Sequence, residues 1–178
     1  MTKEKPEPVW KGGVMNKKWL EKRNACKEGV VWFEQQKERN GIKVVEKLIK
    51  ENKLDWANWL IVRIMRYKQY VAYAVYAAEQ VIDIYEKKYP NDKRPRQAIK
   101  AAKKCIKSPT PKNKAAAANA AYAAAAAAYA AYAAYAANAA YAAAAAYTAA
   151  NAANAADAKI KMKLKILEYG VKLFKRTL

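Results

Sequence analysis

Histidine is absent from the 178 residues. Its absence excludes histidine-based dyads, triads and metal sites, the commonest means of activating a nucleophile or a bound water near neutral pH. Cysteine is nearly absent too. Cys26 and Cys105 are the only two, each within a segment of helical pattern, so no disulfide framework is expected and a reducing, cytoplasmic setting fits. Glycine occurs five times, four of them in the first 41 residues, and no Walker, dinucleotide-binding or CxxC pattern is present. Acids are scarce, 15 against 35 basic residues, and the i,i+4 pair Glu79 and Asp83 is better explained as a solvated or ion-paired face than as acid–base machinery. Catalytic residues, metal ligands and cofactors are therefore not expected, and the chain is read as a non-enzyme.

A long apolar run is missing as well. Residues 115–156 carry no charge, glycine or proline, but alanine is only weakly apolar, and Asn119, Asn138, Asn151 and Asn154 would each be costly in hydrocarbon. No membrane span is expected. The opening MTKEKPEPVWKGG contains Pro6 and Pro8 and no apolar stretch, so it cannot serve as a secretory signal, and residues 1–16 read as a flexible arm.

What remains is helical throughout. Trp19, Leu20, Cys26, Val30 and Phe33 predict a helix over 17–36, closed by Asn40 and Gly41, and Val44, Val45, Leu48 and Ile49 stripe a second over 42–50. Asp55 reads as the cap of a third, stapled by Leu54 and Trp59 and burying Trp56, Trp59, Leu60 and Ile64. From Tyr67 to Tyr89 the spacing of Val71, Val75, Ala78, Ile82 and Tyr85 defines one face of a single long helix. A further helix over 95–106 sets Ile99, Ala102 and Ile106 apart from a basic stripe of Arg96, Lys100, Lys103, Lys104 and Lys107. Thr110 followed by Pro111 is a start signal, a hydroxyl cap before a residue that lacks the unneeded amide proton. At the end, Ile160, Leu164, Leu167, Val171, Phe174 and Leu178 recur at four and three and predict an amphipathic helix over 157–178.

Between Thr110 and Ala156 the composition is overwhelmingly alanine, for which helix is the cheapest state. The 42 residues 115–156 as a single rod would run about 63 Å, well beyond a domain whose radius of gyration is about 16 Å. A hairpin with its break near Asn138 or near Thr148 to Asn151 is therefore favoured over one long helix. In YAAYAAYAANAAY, residues 129–141, the larger side chains recur every three residues, a step of about 300°. They wind around the helix and form no flat face, which argues against ice binding and for a thin core element. The expected fold is all-α: a single-domain multi-helix bundle over 17–178, in which amphipathic helices of 17–107 and 157–178 wrap a central Ala/Tyr-rich hairpin. Alanine faces of this kind also suit homo-oligomerisation.

The net charge of +20 draws the chain to polyanions, and from Lys93 to Lys114 nine basic residues occur without an acid. Arg94 and Arg96, stiffened by Pro95, are candidates to receive an anionic group bidentately. Arg63, Lys100, Lys103 and Lys104 extend that candidate ligand site, with Tyr67 and Tyr70 as stacking platforms. The alternative is structural: Asp55, Arg63, Glu79 and Asp92 form a polar network that ties helices together, with Arg63 paired to Glu79.

WLEKRNAC at 19–26, DWANWLIVR at 55–63, AAEQV at 77–81, KKYPNDKRPRQAI at 87–99, the Ala/Tyr-rich middle and KILEYG at 165–170 resemble the immunity-5-like helical proteins of bacteria and phages. The resemblance implies a helical, non-enzymatic protein that binds and neutralises a toxin or defence component. Inhibitors of nuclease toxins are usually acidic because their targets are basic; this basic chain better matches an acidic protein, or an anionic nucleotide or nucleic acid that it sequesters. An ice-binding or purely structural alanine-rich protein is the third alternative.

Overall fold

Asparagine does in this chain what glycine does in most. The computed structural model describes residues 15–80, 82–116 and 145–176. Among these residues it is all-α, without a strand: α1 (Lys17–Glu21), α2 (Lys27–Glu34), α3 (Gly41–Lys50), α4 (Leu54–Ile64), α5 (Tyr67–Glu79), α6 (Ile82–Lys88), α7 (Arg94–Lys107) and α8 (Ala145–Lys175), with a further helical stretch over 111–116. Asn16 caps α1 by accepting from the Trp19 N–H at 2.9 Å, and Asn40 caps α3 by accepting from the Lys43 N–H at 3.3 Å. Asn24 and Asn52 stand at φ 56° and 57°, left-handed positions that asparagine tolerates better than most residues, and there the chain leaves α1 and α3.

These positions correct three expectations. The helix expected over 17–36 is two helices, parted at Asn24. Asn40 and Gly41 open α3 and do not close its predecessor. The helix expected to begin at an Asp55 cap is capped two residues earlier, at Lys53, with Asp55 in the first turn, where its charge suits the helix dipole.

The backbone divides into two compact units, Met1–Tyr70 with Leu164–Leu178, and Val71–Lys163. In the first, α3 packs on α4 and α1 on α2. Its core includes Val44, Val45, Leu48, Leu60, Ile61, Ile64, Leu167 and Phe174, all buried. Met15 is also fully buried, and its N–H donates to the Arg39 carbonyl at 2.9 Å, so this residue, expected in the arm, belongs to the core. Gly41 permits this approach, because a Cβ there would come within 3.3 Å of both Met15 Cε and Ile64 Cγ2. Gln69 is the buried polar residue of this unit. Its Oε1 accepts from the Arg66 N–H at 2.9 Å while Nε2 donates to the carbonyls of Leu173 and Phe174 at 3.3 and 3.4 Å, which fastens the end of α8.

In the second unit the two faces predicted from spacing meet. Val75, Ile82 and Ile99 are buried together, and Val71, Ala78, Ala102 and Ile106 pack against them. Cys105 and Tyr73 are buried as well. The single helix expected over 67–89 is interrupted after Glu79, where the Gln80 N–H is shared between the carbonyls of Tyr76 and Ala77. Thr110 caps as expected: its Oγ1 accepts from the Asn113 N–H at 3.2 Å. α8 runs unbroken through Thr148–Asn151 into the C-terminal amphipathic segment, which removes one of the two expected break sites and the expected boundary at 157. The arm over 1–14, the tyrosine ladder over 129–141 and the break near Asn138 lie outside the described residues.

Two measurements check this packing. Replacing Gln69 with Leu removes these three side-chain hydrogen bonds and should cost about 1–3 kcal/mol in urea denaturation. Burial pushes the Tyr73 phenol up to about 12 from an ordinary value of 10. Because the unfolded chain releases that proton first, the contribution of Tyr73 is whole below about pH 10 and is lost as the pH rises to about 12. Tyrosinate absorbance should show a late ionisation that Tyr73→Phe removes.

Candidate functional site

α7 starts at Arg94 with Pro95 in its first turn, and the residues before it supply the acids that its first basic groups need. Asp92 takes three donors from Arg94: the backbone N–H at 3.0 Å, Nε at 2.9 Å and Nη2 at 2.8 Å. Arg96 reaches back to α6, where Nε donates to Glu86 Oε1 at 2.8 Å and Nη2 to Glu86 Oε2 and, at 3.2 Å, to Asp83 Oδ1. The hydrogen bond from Arg96 holds the Glu86 carboxyl below its ordinary range. Farther along, Lys103 pairs with Glu79 of α5. The apolar side of α7 anchors the helix, so Lys100, Lys104 and Lys107, at i, i+4 and i+7, form an exposed row of fixed spacing. They have no ion-pair partner among the described residues.

The other sequence-predicted residues stand in the first unit. Arg63 lies over the Trp59 ring at 4.0 Å, with Nη1 donating to the Trp59 carbonyl at 2.8 Å. It was expected to pair with Glu79; each has another partner. Tyr67 and Tyr70, one turn apart on α5, are 40% and 45% exposed. Asp55 lines a cavity of about 310 Å³ that sequence reasoning did not anticipate.

That cavity is walled by aromatic rings. Trp32 and Phe33 of α2 and Trp56 and Trp59 of α4 line it together with Leu20, Leu48 and Leu60. The expectation that Trp56 and Trp59 are buried in the core is corrected: both are half-buried and form the wall. Trp32 and Trp56 stand 6.4 Å apart at 60°, and the Trp32 Nε1 proton is committed to Glu51 Oε2 at 2.7 Å. Lys53 Nζ lies 5.7 Å from the Trp56 centroid and 3.6 Å from Glu51 Oε2. The lining also includes the small residues Ala25 and Gly29, and Cys26, the residue before α2, exposed and not in a disulfide. The one sequence signal for this site is the placement of all five tryptophans within the first 59 residues.

Among the described residues no cluster of three metal-ligating side chains occurs, and no helix is long and apolar enough to cross a membrane. The ion pairs at α7 carry a pH signature. Glu86 contributes above the ordinary carboxylate range and loses its contribution as the pH falls through it. Carboxyl-carbon NMR should place the Glu86 titration below that of an exposed glutamate, and Arg96→Gln should return it upward.

Comparison with known proteins bears on the second unit most directly. The family model described as "Imm-5 like putative immunity protein" matches residues 62–168, a span that takes in α5, α6 and α7 and most of α8. No curated protein and no solved structure matches the chain. The family match covers more than half of the sequence, begins after the last cavity-lining residue, Leu60, and includes the whole of α7. The chain belongs to the Imm-5 like putative immunity protein family.

Proposed function

We propose that this protein is a non-catalytic helical binder, of bacterial or phage origin, that neutralises a toxin or defence component by covering an acidic face of it. Family membership supports the neutralising role. The observation that selects an acidic target is the exposed row Lys100, Lys104 and Lys107 on a helix whose opposite side is fixed in a core. Three like charges at one-turn spacing disfavour the helix that carries them, and they steer an anionic partner into register. Arg94 and Arg96 serve this row by anchoring the start of α7 through Asp92, Glu86 and Asp83, and Lys103 by its pair with Glu79. Tyr67 and Tyr70 offer exposed rings suited to stacking a base, which keeps an anionic nucleotide or nucleic acid as the alternative partner.

Co-expression with the product of the adjacent gene, in a host which that product arrests, tests the reading. Growth should be restored, and the two proteins should elute as one complex. The triple charge reversal Lys100→Glu, Lys104→Glu and Lys107→Glu should slow association by about tenfold or more at physiological salt, with helix content unchanged. Restoration without a complex, or undiminished in the triple variant, would sink the proposal. Retention of an oligonucleotide with a linear log–log salt dependence would favour sequestration instead.

A further inference from the structure

We infer that the tryptophan-walled cavity of the first unit is a binding site for an uncharged planar aromatic molecule of one or two rings. Protein interiors close-pack, and an opening of about 310 Å³ among large apolar side chains is a departure; Ala25, one of its lining residues, is small. Its volume lies at the lower end of small-ligand sites, which are concave and mostly apolar with a few polar groups at the edge. Asn24, Cys26 and Asp55 are those groups here.

The charges around the walls select the ligand class. A cation would gain from Asp55, but Lys53 and Arg63 already stand 5.7 and 4.0 Å from two of the lining rings and take up the attraction those rings offer. An anion would leave water for an apolar surface on which Asp55 is the charged lining residue and the Trp32 N–H is already used by Glu51. A neutral ring meets neither limit. The 60° tilt between Trp32 and Trp56 presents faces and edges together, the arrangement that aromatic rings prefer to a parallel stack. The lining residues precede the family-matched span, and this site does not rest on the reading of α7.

Fluorine NMR of 5-fluoroindole titrated with the full chain is the test. Saturable one-site binding is expected, with a dissociation constant on the order of 0.1–1 mM. Ala25→Phe, which fills the cavity, and Trp56→Ala, which removes a wall, should each weaken binding by about tenfold or more while circular dichroism keeps its helical amplitude. If Ala25→Phe does not fold, Trp56→Ala carries the comparison. Absence of saturable broadening up to the solubility limit overturns the site, as does undiminished binding by the folded variants. Equal affinity for 4-fluorobenzylamine, a cation of similar size, overturns the ligand class.

Discussion

The apposition of α3 and α4 is the constraint on which the first unit is built. Asn52 adopts the left-handed conformation, the Lys53 N–H donates to the Leu48 carbonyl at 2.9 Å, and the chain reverses within three residues. Val44, Val45 and Leu48 from one helix and Leu60, Ile61 and Ile64 from the other are thereby buried together with little loop entropy to overcome. The rest of the unit depends on that pair. Met15 enters because Gly41 lacks a side chain, and the Trp56 and Trp59 walls of the cavity are held by the same helix that buries Leu60 and Ile61. The Trp56 and Trp59 walls are thus carried by a rigid element, which helps keep them from collapsing onto the residues across the opening.

Charge imposes the complementary constraint on the second unit. With 35 basic residues and 15 acids, most lysines must face water, and the acids are effective only where they are placed. Glu79, Asp83, Glu86 and Asp92 all meet basic groups of α7, namely Lys103, Arg96 and Arg94. The start of the helix is therefore largely neutralised by contact, and farther along α7 Lys100, Lys104 and Lys107 stay exposed. Exposed ion pairs of this kind contribute little to stability. Their effect is positional, since they define where a row of lysines with no ion-pair partner among the described residues begins.

The sequence was most legible where apolar periodicity and core burial coincide. Val71, Val75, Ala78 and Ile82 were recognisable at spacings of four, three and four, and so were Ile99, Ala102 and Ile106; they form one cluster. The Thr110 cap was legible for a chemical reason, because hydroxyl followed by proline has few other uses. The break at Asn24 was not, since apolar spacing carries across it and no proline or glycine marks it. Asn40 was read as a stop and is a start: asparagine can end a helix through its backbone or begin one through its side chain, and the letter alone does not choose. The continuity of α8 through Thr148–Asn151 has the same origin, because asparagine in a helix interior costs too little to break it. The cavity was illegible because helical spacing shows which side chains turn inward but not whether the space between them is filled.

The two candidate sites differ in the physics of recognition and in their relation to the family. The lysine row lies inside the matched span, acts through water over distances of a Debye length, and is specific for sign more than for shape. The lining residues of the cavity precede that span and are mostly apolar, so shape and apolar area weigh most in what it would hold. Salt acts on them in opposite directions: mobile ions screen the row, whereas strongly hydrated salts such as sulfate strengthen apolar burial. The two proposed partners, an acidic macromolecule and a neutral small molecule, would therefore be recognised by different chemistry and would not compete for the same contacts.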